Sequence, residues 1–263
     1  MFPALIPLIP FISALLLMLG WKRLNRVGVT VRGCGSIGLA ALLAVLIAVQ
    51  FAAGGEQAIV QHTGNWMEAG GFKTGIDFRM DALSVVFVLV ITNVGFLIHV
   101  YASGYMHEEP DYARFFACMN LFVGAMLILV MADNLLLLYF GWEGVGLCSY
   151  LLIGFWYKER ANGYAARKAF IVTRVGDTAM AIALFMLFQY TGTLRIPGIL
   201  ESSPHIWAGG DAVITCIALL LLGGAVGKSA QLPLQTWLPD AMAGPTPVSA
   251  LIHAATMVTA GVY

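Results

Sequence analysis

Charged side chains are scarce in this sequence of 263 residues: they make up 11% of it, against 60% hydrophobic residues. Soluble domains carry about 25% charged residues. A soluble fold of this composition would leave much of its apolar surface in water, whereas a lipid bilayer solvates such a surface. The formal net charge is +0, so no basic field is available to attract nucleic acid. The composition therefore predicts an integral membrane protein and excludes a nucleic-acid-binding one.

Cysteine is also rare, and its placement argues against two kinds of site. The sequence has 4 cysteines, all in or beside apolar stretches: Cys34, Cys118, Cys148 and Cys216. No two are spaced as a CxxC pair, so they predict neither an iron–sulfur site nor a disulfide framework. The segment Gly33–Gly38 matches the dinucleotide-binding pattern GxGxxG. Its glycines open an apolar helix and follow no strand, so close helix packing is the better interpretation.

Apolar stretches of about 20 residues, the length that crosses a bilayer as a helix, recur along the chain. Eight are found, at residues 2–20, 34–53, 82–104, 114–132, 135–156, 168–190, 212–237 and 247–263. They predict an all-α, polytopic transmembrane helix bundle of about eight helices. No basic segment precedes the first stretch, which is therefore interpreted as a retained helix rather than a signal peptide. In the polar connection before residue 82, the segment Gly70–Phe78 predicts a small hairpin.

Glu143 is a carboxylate deep inside an apolar stretch. It lies about nine residues into the fifth stretch, hence roughly 13 Å deep and near the middle of the bilayer. A carboxylate at that depth costs several kcal/mol unless it is paired, hydrated or protonated. An acid whose cationic partner moves can change its protonation state, as a proton carrier must. A structural ion pair is the alternative interpretation.

Lys228 is an intramembrane base beside a predicted helix break. Pro233 follows five residues later and has no N–H for the carbonyl of Ser229, so the helix should break or kink there. Broken helices at membrane depth occur where they line a cavity. Gly223 and Gly227 form a GxxxG pair that lets a neighbouring backbone approach closely. A buried lysine at a break favours a transport function over a structural one.

Arg174 and Asp177 are three residues apart on one predicted helix, so they share a face. They can neutralise each other, and a purely structural pair is an open alternative. Arginine does not release its proton, so Arg174 would act as a fixed charge. Asp177 would then be either a modulator or a second partner for Lys228.

His253 lies about six residues into the last apolar stretch, after Thr246 as a predicted N-cap and Pro247 at the first helical position. Histidine can relay protons near neutral pH, although buried histidines often serve only as hydrogen-bonding groups. That stretch stops at Tyr263 without a polar flank. We therefore expect the sequence to be the N-terminal portion of a longer protein.

Four segments of the sequence resemble one family of membrane proteins, namely Gly141–Tyr150, Arg174–Asp177, Gly227–Pro233 and His253–Gly261. They are similar to segments of the subunit L family of bacterial NADH–quinone oxidoreductase (respiratory complex I). The members of this family are antiporter-like membrane subunits. The resemblance covers nearly the whole chain. It implies a fold of inverted five-helix repeats, each with a broken helix. On that basis residues 1–110 hold helices 1–3, and residues 111–263 hold a truncated first repeat with helices 4–8.

The resemblance also implies which residues move protons. It implies a pair between Glu143 and Lys228 near the midplane, with Asp177 tuning the pair and His253 as a relay. Arg174 completes the set of residues expected to serve proton translocation. The large subunit of Mrp-type sodium/proton antiporters shares the Glu, the Lys and the broken helix and is the alternative function. A membrane segment that assembles without pumping is a third.

The expected setting follows from the same resemblance. The chain would be a multi-pass protein of the bacterial inner (cell) membrane and a subunit of a proton-translocating NADH:quinone oxidoreductase. Its partners would be the other membrane-arm subunits of complex I, the lipid bilayer and protons, with no nucleic acid. No cofactor or metal is expected in this chain. FMN, the iron–sulfur clusters and the quinone sites are expected in other subunits.

Overall fold

The computed structural model describes residues 2–55, 58–207 and 209–263, with residues 254 and 255 described by their backbone alone. Eight α-helices and a two-stranded hairpin account for most of it. In chain order they are α1 Leu5–Gly20, α2 Arg26–Gly54, β1 Ala58–Ala69, β2 Phe72–Asp81, α3 Ala82–Tyr105, α4 Tyr112–Met131, α5 Leu135–Ile153, α6 Arg160–Thr191, α7 Ile196–Ile206 and α8 Ala212–Lys228.

The predicted all-α, polytopic membrane bundle is confirmed. Among the described residues, five helices are long and apolar enough to cross a membrane, namely α2, α3, α4, α5 and α6. The helices α1 and α8 are apolar but shorter, with 16 and 17 residues. The short helix α7 was not predicted, because its sequence is too polar and too brief to give a membrane-helix signal.

The predicted helix boundaries differ from the structure where polar residues extend a helix beyond its apolar stretch. Helix α2 begins at Arg26 rather than at residue 34, because the side chain of Asn25 caps it by accepting a hydrogen bond from the Gly28 amide at 2.8 Å. Helix α6 begins at Arg160 rather than at residue 168. The length of each apolar stretch thus located the helices but did not predict the polar helical turns that extend beyond the hydrocarbon core of the bilayer.

The last predicted helix, residues 247–263, is not one continuous α-helix. It consists of a short α-helix, Thr246–Ser249, a π-helical segment, Ala250–Ala255, and a 3-10 segment, Val258–Gly261. The prediction of a regular eighth helix was therefore wrong. Apolar composition reports burial, whereas the hydrogen-bonding pattern of the backbone depends on local packing that composition does not show.

Helix α4 is the centre of the bundle. It packs against α1, α2, α3 and α5, and most of its residues are buried. Helix α6 then packs against both α5 and α8. The order α4, α5, α6, α8 forms a row of adjacent helices, and this row carries the charged residues singled out in the sequence.

The β1–β2 hairpin confirms the one predicted for Gly70–Phe78 and is longer than predicted. Its strands pair in antiparallel fashion from Ala58 opposite Asp81 to Ala69 opposite Phe72. The turn uses Gly70 with a φ of 58°, a left-handed conformation that glycine adopts without strain. The hairpin lies against the corner between α4 and α5, where the Asp133 amide donates to the Asp77 carbonyl at 3.0 Å.

Asp133 ties three separate segments together at that corner. Its fully buried side chain accepts a hydrogen bond from Arg195 Nε at 2.9 Å, and its other oxygen lies 3.8 Å from Arg79 of the hairpin. The Ile196 amide, at the start of α7, donates to the Asp133 carbonyl at 3.0 Å. The hairpin, the α4–α5 corner and the segment before α7 are therefore held by one residue, which the sequence analysis missed.

We expect Asp133→Ala to lower the free energy of unfolding by about 1–3 kcal/mol, since it removes a charge-assisted hydrogen bond and an ion-pair contact from a buried site. Thermal unfolding of the purified membrane protein measures the effect. Asp111→Ala is the control, because Asp111 pairs with Arg114 at the surface, where both side chains are about 40% exposed, and such pairs contribute about 0–1 kcal/mol. Equal destabilisation by the two variants would contradict the role given to Asp133.

Helix α8 ends at Lys228, and no regular helix resumes before Trp237. The predicted broken helix is thus confirmed, with the break beginning four residues before Pro233. The Gln231 amide donates to the Val226 carbonyl rather than to that of Gly227. The freed Gly227 carbonyl accepts a hydrogen bond from the indole of Trp237 at 3.0 Å, so protein groups satisfy the broken backbone, as membrane depth requires.

Candidate functional site: a line of charges across three helices

Four charged side chains lie on three adjacent helices. Glu143 is on α5, Arg174 and Asp177 are on α6, and Lys228 is the last residue of α8. Glu143 lies eight residues into α5, about 12 Å from its start. Arg174 and Asp177 lie on either side of the midpoint of the 32-residue α6. The charges of α5 and α6 therefore lie far from the helix ends, where water would solvate them.

The four charges alternate in sign along this row. Arg174 forms an ion pair with Glu143. The Oδ2 atom of Asp177 lies 3.7 Å from the Arg174 guanidinium and 3.4 Å from Lys228 Nζ. The predicted Arg174–Asp177 pair is present, and so is the second alternative for Asp177, a direct partner of Lys228. Alternation leaves each charge beside at least one of opposite sign, which offsets the cost of burial.

The structure differs from the implied pairing of Glu143 with Lys228. Within the described residues, the ion-pair partner of Glu143 is Arg174 and that of Lys228 is Asp177. The physical reason is that α6 packs against both α5 and α8 and supplies both intervening charges, while Lys228 Nζ reaches α5 at Trp142 instead of at Glu143. Glu143 and Lys228 are thus linked through Arg174 and Asp177 and do not form a pair themselves.

Glycines bring α6 and α8 close enough for Asp177 to reach Lys228. A Cβ atom on Gly176 would lie 2.8 Å from the Gly223 carbonyl oxygen and 3.0 Å from Gly227 Cα. The predicted close approach at the GxxxG pair is therefore confirmed, with Gly176 as its counterpart on α6. A Cβ atom on Gly146 of α5 would lie 2.7 Å from Lys228 Nζ, so this glycine leaves the space that the ammonium group occupies.

Burial differs between the two halves of the charged row. The side chains of Lys228 and Asp177 are 0% and 2% exposed, whereas those of Glu143 and Arg174 are 23% and 35% exposed. Arg174 also lies over the ring of Phe170, with 4.4 Å between the guanidinium carbon and the ring centroid. The row thus runs from the interior at α8 to a partly exposed ion pair between α6 and α5.

Trp142 contacts the buried half of the row and was missed by the sequence analysis. Its indole Nε1 donates to Asp177 Oδ1 at 2.7 Å, and its ring centroid lies 5.7 Å from Lys228 Nζ. The residue precedes Glu143 on α5, which was the available signal. Its direction toward α6 could not be inferred without knowing how α5 and α6 pack.

His253 lies in the π-helical segment and not in a regular helix, contrary to the prediction. Its ring centroid is 6.1 Å from that of Trp237, which itself donates to the carbonyl of Gly227, the neighbour of Lys228. Both ring nitrogens are buried, and neither has a hydrogen-bond partner within the described ranges. The structure therefore does not join His253 to the charged row, and its role as a relay stays a prediction.

No group of three His, Cys, Asp or Glu residues that could hold a metal ion is found in the part of the chain that the structure describes. The four cysteines are free thiols, of which three are buried: Cys34, Cys118 and Cys148. The side chains of the charged row are therefore the candidate functional groups.

The fold and the site together define a polytopic helical membrane protein with a line of ionisable groups buried between its helices. A family model described as "NADH:quinone oxidoreductase/Mrp antiporter, TM" matches residues 132–263, which include the whole charged row. A second, "NADH-Ubiquinone oxidoreductase (complex I), chain 5 N-terminus", matches residues 66–116. The chain belongs to the NADH:quinone oxidoreductase/Mrp antiporter family of membrane proteins, as its motifs predicted.

Curated relatives bear the name NADH-quinone oxidoreductase subunit L. The protein of this name from Escherichia coli K12 is 56% identical over 260 residues, which cover 99% of this chain and 42% of the relative. The one from Pseudomonas aeruginosa is 57% identical over 260 residues, covering 97% of this chain and 42% of the relative. The chain thus spans about 42% of the length of these relatives.

Two solved structures are similar in fold. One is a chain of the Mrp complex from Dietzia sp. DQ12-45-1b, with a TM-score of 0.85, 31% identity and coverage of 99% of this chain and 27% of that one. The other is a chain of the membrane-bound sulfane sulfur reductase, an archaeal respiratory membrane complex, with a TM-score of 0.83 and 22% identity over 99% of this chain and 51% of that one. The second likeness concerns the fold alone.

Proposed function

We propose that this chain is part of a proton-translocating membrane-arm subunit of NADH–quinone oxidoreductase, in which electron transfer from NADH to quinone drives proton pumping. One observation carries the proposal: charges of alternating sign run from Glu143 through Arg174 and Asp177 to Lys228, where helix α8 breaks. Buried ionisable groups on adjacent membrane helices are costly and mark ion pathways. The similarity to subunit L of two bacteria supports this choice.

The geometry suggests how a change at Glu143 reaches Lys228. Arg174 contacts Glu143 and also lies 3.7 Å from the Asp177 oxygen that holds Lys228. Because arginine keeps its proton, it acts as a charge that can shift between the two acids. When Arg174 moves toward Asp177, Lys228 loses its counter-charge in an apolar interior and releases its proton. When Arg174 returns to Glu143, Asp177 is again available and Lys228 takes up a proton.

The released proton would leave Lys228 at the helix break. Trp237 donates to the Gly227 carbonyl at the end of α8, and the ring of His253 lies 6.1 Å from that of Trp237. Histidine can carry a proton near neutral pH. His253 is therefore proposed as the relay. Residues 111–263 would form the first antiporter-like repeat, and residues 1–110 would provide the preceding three helices.

The proposal extends to the surroundings of the chain. Its partners would be the other membrane-arm subunits of complex I, and its location would be the bacterial inner membrane, where the multi-pass helices are solvated by lipid. We propose that no redox centre lies in this chain. FMN, the iron–sulfur clusters and the quinone sites would belong to other subunits, so this chain would supply only the proton pathway.

Glu143→Ala in the full-length protein, assembled in its complex and reconstituted into vesicles, tests the function. We expect proton pumping driven by NADH to fall by about threefold or more, because Arg174 loses the acid that draws it away from Asp177. The amount of assembled complex should stay near normal, since Glu143 and Arg174 are partly exposed. Pumping is measured as acidification of the vesicle interior per assembled complex.

Glu201→Ala provides the matched control, because Glu201 is an exposed acid on α7. Normal pumping by the Glu143 variant would refute the proposed function.

A large subunit of an Mrp-type sodium/proton antiporter is the second candidate, favoured by the 31% identity to a chain of the Dietzia Mrp complex. Proton movement that requires a sodium gradient and does not depend on NADH oxidation would establish that alternative. If substitution of every residue in the charged row left pumping unchanged in the assembled complex, the chain would serve only as a structural membrane segment.

A further inference from the structure

We infer that Trp142 is a positioning residue that keeps Asp177 available to Lys228, and this inference rests on the proposed function. The indole of Trp142 is 4% exposed. Its Nε1 donates to Asp177 Oδ1 at 2.7 Å, which is the shortest of the polar contacts of that carboxylate to α5, α6 and α8. A hydrogen bond to an ionised acceptor is directional and stronger than one between neutral groups, so it sets the rotation of the carboxylate.

The second carboxylate oxygen of Asp177, Oδ2, lies near two basic side chains, Lys228 and Arg174. Asp177 Oδ2 lies 3.4 Å from Lys228 Nζ and 3.7 Å from the Arg174 guanidinium. Arg174 is three residues away on the same helix, and its planar guanidinium can hold both oxygens of a carboxylate at once. The Trp142 N–H binds Oδ1 and fixes the plane of the carboxylate, which opposes this bidentate pairing. Oδ2 is then shared between Arg174 and Lys228, and Lys228 keeps a counter-charge.

Trp142 also covers Lys228 and links it to helix α5. The ring centroid lies 5.7 Å from Lys228 Nζ, within the range of a cation–π contact. Trp142 precedes Glu143, so a movement of α5 at Glu143 also moves the indole that holds Asp177. Helix α5 thus has two connections to the buried pair, one from Glu143 through Arg174 and one through the Trp142 indole.

The test uses Trp142→Phe in the full-length protein within its assembled complex. Phenylalanine keeps a ring over Lys228 and removes the N–H donor. We expect proton pumping per assembled complex to fall by about threefold to tenfold, at a normal amount of complex. Trp142→Tyr, which keeps both a ring and a donor, should recover part of the pumping. The matched control is Trp156→Phe, since the Trp156 Nε1 donates to Glu109 Oε2 at 3.2 Å outside the charged row.

A double-variant cycle separates positioning from a general structural role. If Trp142 acts through Asp177, then Trp142→Phe causes no further loss in an Asp177→Ala background. The inference is overturned if Trp142→Phe pumps like Trp156→Phe, if its loss persists in that background, or if pumping falls only in proportion to assembly. Glu143→Ala is measured alongside. Its normal pumping would refute the proposed function, whereas its impairment together with a normal Trp142→Phe would refute this inference alone.

Discussion

Under the proposed function, Lys228→Ala should nearly abolish proton pumping in the full-length protein while the complex still assembles. Lys228 is the fully buried base at the end of the charged row, and Asp177 is its ion-pair partner. Alanine removes the only group on α8 in this row that can carry the proton. Since a positioned proton-transfer group contributes about 10²–10⁴-fold to a rate, we expect a fall in pumping of roughly tenfold or more. Proton uptake per assembled complex in vesicles measures it.

Two further variants make the result specific. Lys168→Ala removes a lysine that pairs with Asp240 at 2.7 Å, where both side chains are partly exposed, and it should pump normally because such pairs contribute little. Lys228→Arg should not restore pumping, because an arginine keeps its proton. Its guanidinium is also larger than the ammonium group that already lies close to Gly146. Normal pumping by Lys228→Ala would contradict the mechanism, and so would full activity of Lys228→Arg.

Gly176→Ala should impair both assembly and pumping. A Cβ atom at this position would lie 2.8 Å from the Gly223 carbonyl oxygen and 3.0 Å from Gly227 Cα. These are backbone atoms, so no side chain can rotate away and helices α6 and α8 must separate. We expect a destabilisation of about 1–3 kcal/mol. Because Asp177 and Lys228 are the next residues after Gly176 and Gly227, their 3.4 Å contact should lengthen, and pumping per complex should fall several-fold.

Gly163→Ala is the matched control for this prediction. Gly163 is on the same helix α6, and a Cβ atom there would meet nothing within 4 Å. The control should be neutral or slightly stabilising, since alanine has the higher helix propensity. Assembly is measured by native gel electrophoresis and pumping in vesicles. If Gly176→Ala behaved like Gly163→Ala, the close packing of α6 against α8 would not be what positions Asp177.

The membrane helices were predictable because their signal is local. An apolar stretch of about 20 residues is favoured in lipid whatever its neighbours are, and this placed α3 and α5 within a few residues of their observed bounds. The hairpin at Gly70 and the break after Lys228 followed from glycine and proline, whose backbone restrictions are equally local. The irregular last segment was not predictable, because its π-helical turn depends on packing against other elements.

The sequence by itself determined that this protein is a bundle of membrane helices, that Glu143, Arg174, Asp177, Lys228 and His253 are its unusual polar residues, and to which family it belongs. Only the tertiary structure decided which of these charges meet. Helix α6 packs against both α5 and α8, and its Arg174 pairs with Glu143 while its Asp177 pairs with Lys228. Trp142 contacts Asp177, whereas His253 forms no hydrogen bond with the charged row. Both outcomes depend on the packing of helices that are distant in sequence. Spacing along one helix specifies a face, whereas ion pairs between helices depend on how those faces are brought together.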